Sequence, residues 1–190
     1  KHFSPFNHCF ASFHVKAPIY VARQLQKHEY MPWNEASRRY VDEDPEFYEP
    51  QYWRKKAEDK KQGSGGNMEL SLFRKNCIKN ISSGATTTYR ELIKDGVAPE
   101  MARSILPQNM MTEWLWSATL GAFAKMCNLR CTSDTQEETR MVADSISTIL
   151  GGLYPTSWNA LMSPEVKARH ALAELKKREK KQEELNKFWS

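Results

Sequence analysis

From Arg23 to Tyr40 the chain collects side chains that can grip an anion and read the edge of a flat polar ring. Lys27, His28, Arg38 and Arg39 can donate to phosphate, while Gln24, Asn34, Glu35 and Ser37 can hydrogen-bond a heterocycle. The run Asn34-Glu35-x-Ser37-x-Arg39-Tyr40 sets a carboxylate, a hydroxyl and a guanidinium within about 20 Å of extended chain. An arginine fork meets phosphate in a two-pronged way that lysine cannot reproduce. A solvated helix face has no use for that mixture.

Other groups capable of chemistry lie further off. Arg103 sits in Ala102-Arg103-x-x-Leu106-Pro107, and Arg130 closes Asn128-Leu129-Arg130. His2-Phe3-Ser4-Pro5-Phe6-Asn7-His8 carries two imidazoles and a hydroxyl, which taken alone is an ordinary polar loop. Cys9, Cys77, Cys127 and Cys131 show neither a Cys-x-x-Cys pair nor the ladder of a small secreted fold, so reduced thiols are expected. Cys127 and Cys131 would share a helical face and could ligate a metal, but two small core residues are the simpler expectation, and no metal is expected.

Taken in order, Gln24-x-x-Lys27-His28-Glu29-x-x-Pro32-x-Asn34-Glu35-x-Ser37-x-Arg39-Tyr40, the Arg103 motif and the Arg130 motif resemble the flavin-dependent thymidylate synthases. Their signature runs arginine, histidine, arginine, seven residues, serine; Lys27 and Glu29 stand here in place of the two arginines. The resemblance extends from His2 to about Leu161. It implies an α+β fold with helices packed on an antiparallel sheet, assembled as a homotetramer with sites shared between subunits. It also implies reductive methylation of dUMP to dTMP, with methylenetetrahydrofolate as carbon donor and NADPH-reduced FAD as hydride source. The chain lacks the Pro-Cys-His nucleophile of the other thymidylate synthases, which agrees by omission.

Carried over residue by residue, the resemblance makes Arg130 the catalytic cation that stabilises charge on the pyrimidine, and it gives dUMP to Gln24, Lys27, Glu35, Ser37, Arg38, Arg39, Arg103 and Arg130. FAD falls to His2, Ser4, Lys27, His28, Glu29, Glu35, Thr119, Gly121 and Lys125, the last three replacing asparagine and arginine positions common in the family. Two other readings stay open. One is an enzyme of the same fold hydroxymethylating a pyrimidine deoxynucleotide, motivated by Glu29. The other is a non-catalytic nucleotide-binding homologue.

These residues need elements to hold them. The 190 residues suit one domain, 1–190, with a charged helical tail at 164–190 and with further chain expected before Lys1. A net charge of +5 comes largely from solvated lysine runs, so nucleic acid is not an expected partner. No run of about eighteen apolar residues occurs, so no membrane span is expected, and the cytoplasm of a bacterium, or of the host cell if the source is viral, is the expected compartment. Alternation from Cys9 to Lys16 predicts a half-buried strand. A helix is expected from Pro18 to Pro32, placing Gln24 and His28 on one face, with a loop from Trp33 onward. Lys55 to Asn67 reads as a flexible surface link, and Met68 to Lys94 as one or two helices ending at Asp95-Gly96. Pro99 opens a short helix. Thr112 to Leu129 reads as one long amphipathic helix, and Glu137 to Leu150 as another stopping at Gly151-Gly152.

Overall fold

The computed structural model describes residues 2–37, 44–58 and 63–189. Its backbone falls into two compact units, one of residues 11–118 and one of residues 1–10 with 119–190. The architecture is α+β, with helices and small antiparallel sheets.

In the first unit, β1 (Phe10–Pro18), β5 (Met111–Thr119) and β2 (Trp33–Glu35) form a three-stranded sheet in the order β1-β5-β2. β1 keeps the alternation read from the sequence: Val15 and Ala17 are buried, while Phe10, Ser12, His14 and Lys16 face solvent. β2 pairs antiparallel with β5 in the register Trp33↔Trp116, Asn34↔Leu115 and Glu35↔Trp114. Two expectations fail here. Trp33 begins a strand rather than a loop, and Met111 to Thr119 is a strand rather than the first half of a helix. Burial along β5 has period two, with Trp114, Trp116 and Ala118 inside and Glu113 and Leu115 outside. Trp33 stacks on Trp114 at 4.2 Å between centroids and meets Trp116 edge-on at 5.7 Å.

The expected link at Lys55 to Asn67 is also corrected, because β3 (Trp53–Lys56) and β4 (Ser64–Met68) pair antiparallel as a hairpin. α2 (Leu72–Lys94) is a single helix despite Ser82-Ser83-Gly84. Its hydroxyls bond back within the helix, Thr86 Oγ1 to Ser82 O at 3.0 Å and Thr87 Oγ1 to Ser83 O at 3.1 Å, instead of competing for another backbone path. Ser71 caps its start through Arg74 N, and Gly96 ends it at φ 85°, a left-handed value where a side chain is costly. α3 (Pro99–Ala102) follows, with a 3-10 turn at Arg103–Ile105.

The second unit holds α4 (Leu120–Arg130), α5 (Glu137–Leu153), α6 (Pro155–Leu161), α7 (Pro164–Trp189) and a 3-10 turn at Ser4–Asn7. α4 buries Leu120, Phe123, Ala124, Met126 and Cys127, and Cys131 just beyond it is also buried. Leu129, near its end, is exposed. Gly151 and Gly152 lie within α5 rather than stopping it; Gly151 lets the Trp158 ring approach to 3.3 Å of where a Cβ would stand. Trp158 Nε1 then donates to Ser147 Oγ at 3.1 Å. Among the described residues, no helix is long and apolar enough to cross a membrane.

Gly96→Ala should lower the unfolding free energy by about 1 kcal/mol, because the left-handed conformation penalises a Cβ while nothing crowds it. Chemical denaturation with an unchanged m-value checks this.

Candidate active site

α1 (Ile19–Leu25) starts after Pro18 and buries Val21, Ala22 and Leu25, leaving Gln24 half-buried with its Nε2 donating to Tyr20 O at 3.4 Å. The helix is shorter than expected. Gln26 N donates to Ala22 O, and the chain then turns through Lys27, His28, Glu29 and Tyr30, whose φ is 59°. His28 therefore does not share a helical face with Gln24. Lys27 and Glu29 are exposed, and the Tyr30 ring is 88% exposed. A non-glycine residue held at positive φ costs about 1–3 kcal/mol and marks a turn that its surroundings enforce.

Past the turn, Met31 is buried and Pro32 O accepts from Ser117 N at 3.1 Å, which delivers the chain into β2. Glu35 Oε1 accepts from Thr112 Oγ1 at 2.7 Å and its Oε2 from Trp33 Nε1 at 3.2 Å, so the carboxylate is oriented while remaining exposed. Ser37 follows, exposed. Arg38 and Arg39 lie outside the described residues. Arg103 is exposed on its 3-10 turn.

The remaining site residues belong to the second unit. Thr119 caps α4, its Oγ1 accepting from Ala122 N at 3.1 Å, and lies 3.5 Å from Asn7 Oδ1. Gly121 is buried beneath Phe3 and Asn7: an added Cβ would stand 2.7 Å from the Phe3 ring and 2.8 Å from Asn7 Oδ1. Lys125 Nζ sits 5.3 Å from the centroid of that ring, a cation over an aromatic face. Thr119, Gly121 and Lys125 are thus gathered around the Ser4–Asn7 turn, next to exposed His2 and Ser4. Arg130 is the last residue of α4, half-buried, where its charge suits the negative helix end. Asn128 beside it accepts from Ser163 N at 2.8 Å and donates to Leu161 O at 2.9 Å, tying that helix end down.

Sequence reasoning missed Thr112, Phe3, Asn7 and Tyr30. A hydroxyl opposite a carboxylate on paired strands could have shown Thr112, but only with the register known. Phe3 and Asn7 needed the close approach to Gly121, which no spacing displays. Taken unit by unit, exposed Lys27 and half-buried His28 in the first, and Lys125 over its ring with the Ser4 and Thr119 hydroxyls in the second, are the kinds of cation and hydrogen-bond donor that the pyrophosphate of a dinucleotide such as FAD asks for.

The family described as "Thymidylate synthase complementing protein" matches residues 1–156. The chain belongs to this family. A flavin-dependent thymidylate synthase of Thermus thermophilus is 40% identical over 164 residues, covering 84% of this chain and 59% of that protein. One from Thermosipho melanesiensis is 36% identical over 164 residues, covering 85% of this chain and 72% of the relative. The chain thus spans about three fifths of the Thermus protein's length. Among solved structures, the UMP/dUMP methylase PolB of Streptomyces cacaoi, bound with 5-Br dUMP, is similar at a TM-score of 0.77 and 28% identity, over 86% of this chain and 76% of that one.

Gly121→Ala should displace the tip of the Phe3 ring and the Asn7 amide rather than open the core. Global stability should then fall by no more than about 1 kcal/mol, while amide exchange in Ser4–Asn7 speeds about tenfold. Hydrogen exchange read segment by segment distinguishes the two.

Proposed function

We propose that the chain is a flavin-dependent thymidylate synthase, converting dUMP to dTMP with methylenetetrahydrofolate as carbon donor and NADPH-reduced FAD as hydride source. The observation that carries this reading is the family match over residues 1–156, which spans the Lys27-to-Ser37 signature and both outlying arginine motifs. The PolB structure bound with 5-Br dUMP supports a pyrimidine nucleotide as substrate. The cytoplasm remains the proposed compartment, and the whole of 1–190 the proposed single domain.

In this reading Arg39 and Arg103 take the phosphate, helped by the backbone at Ser37-Arg38, and Lys27 adds positive charge. Gln24 and Glu35 hydrogen-bond the nucleoside; the clasp of Thr112 and Trp33 on Glu35 fixes which lone pairs remain for it. Arg130 places its guanidinium where negative charge develops on the pyrimidine, making C5 reactive, and Asn128 secures the end of α4 from which it projects. No protein nucleophile is needed. FAD, when bound, supplies the hydride. Lys27 and His28 of the first unit, and Ser4, Thr119 and Lys125 of the second, would supply the cations and donors that its pyrophosphate needs, with His2, Gly121, Glu29 and Glu35 as the other residues proposed to hold it. The homotetramer with shared sites is supported by exposed Leu72, Phe73 and Ile81 on α2, apolar surface that a second copy would cover.

Glu29, where the family signature has arginine, favours a second reading in which the carbon is left as hydroxymethyl. Mass analysis of the product from dUMP, methylenetetrahydrofolate, NADPH and enzyme decides: a gain of methyl is expected, and a gain of hydroxymethyl overturns the reductive step. Arg130→Ala should cut turnover about 10²- to 10³-fold with the thermal transition retained; activity within twofold would remove the role given to Arg130. His28→Ala should lower the flavin bound per chain, read from the visible absorbance of the purified protein.

A further inference from the structure

Just past the end of α4, next in sequence to Arg130 but made of residues given no role above, Cys131, Asp144 and His170 converge from three elements. Cys131 follows the last turn of α4, Asp144 lies on α5 and His170 on α7. One ligand-capable atom from each lies within 4.8 Å of the others, and His170 Nε2 is 3.0 Å from Asp144 Oδ1. We propose that Cys131, Asp144 and His170 form a binding site for a zinc-class divalent ion that fastens α7 to α4 and α5.

A thiolate, a carboxylate and an imidazole make a mixed sulfur, oxygen and nitrogen set, which suits zinc and its neighbours and not the all-oxygen preference of magnesium or calcium. Tetrahedral zinc with bonds of about 2.0–2.3 Å needs ligand atoms roughly 3.3–3.7 Å apart. With every pair of ligand atoms within 4.8 Å, the cluster stands within about 1 Å of that spacing. Cys131 is fully buried, whereas the side chains of Asp144 and His170 are 31% exposed, which leaves an entry path and a fourth position for water. Outer partners are in place as well. Arg169 donates to Asp144, and the Cys127 thiol hydrogen-bonds Cys131.

The plainer account is a polar network pinning a charged helix. It leaves α7 with little to hold it: Val166 is fully buried, but Leu172, Leu175 and Leu185 are exposed. A cross-link at His170 would secure a helix that apolar packing scarcely does. A nucleophilic role for Cys131 has no support, since its sulfur is closed to any substrate. Cys131 and Asp144 lie within the residues of the family match, and His170 lies beyond them.

Cobalt(II) titration of the full chain, stripped with chelator, tests the site. One equivalent should bring up a thiolate-to-cobalt charge-transfer band with the intense visible bands of a tetrahedral ion, and zinc should displace it. Cys131→Ser and His170→Gln should each weaken binding more than about a hundredfold, beyond what losing an outer partner does. His170 reaches solvent, so His170→Gln stays informative if Cys131→Ser fails to fold. Absence of the charge-transfer band at saturating cobalt, or wild-type affinity in His170→Gln, overturns the proposal and leaves the polar network alone.

Discussion

The packing of three indoles on one face of a short sheet governs what the first unit can present. Trp33 stacks on Trp114 and meets Trp116 edge-on, and those contacts fix the register of β2 against β5. A slip of one residue would turn Trp33 to solvent and carry Glu35 to the opposite face. Burying a large aromatic side chain is worth on the order of 2–3 kcal/mol, far more than the single hydrogen bond joining Glu35 to Thr112. The indoles therefore set the position and the carboxylate accepts it.

That dominance explains both what the sequence disclosed and what it hid. β1 was readable because its alternation is clean over eight residues, Phe10 to Ala17, and Pro18 follows. β5 was not, because Trp114 and Ala118 satisfy a four-residue helical spacing and a two-residue strand spacing at once, and Phe123 and Met126 then continue the helical series. The one glycine near the change from strand to helix, Gly121, lies inside α4 and does not mark the boundary. The switch is made by Thr119, an N-cap whose hydroxyl holds Ala122 N, a signal inconspicuous inside an apolar run. β2 is too short for any period to show. The hairpin at β3 and β4 hid behind lysines and glycines, since its order comes from backbone pairing rather than side-chain burial.

The candidate site was legible in kind and not in arrangement. Residue types and their order carried the resemblance, because phosphate and a polar ring dictate which side chains must be present. The supporting contacts depend on distances between segments remote in sequence: Thr112 on Glu35, and Phe3 and Asn7 over Gly121. Gly121 shows the difference well. Its identity suggests only freedom, whereas the fold shows a position where any side chain would strike the Ser4–Asn7 turn.

The departure at Lys27 and Glu29 is best understood through the turn that displays them. A helix continued to Pro32 would distribute Lys27, His28 and Glu29 around its circumference and bury some of them against the sheet. Instead Leu25 and Met31, both buried, clamp a reversal between them, and Tyr30 adopts φ 59° with its ring almost wholly in solvent. Burial of Tyr30 cannot be what offsets that conformation. The anchors on either side must, and their effect is to hold the three polar side chains outward on a short, over-determined segment. Replacing one arginine by Glu29 then changes the charge such a segment offers without altering the backbone that presents it.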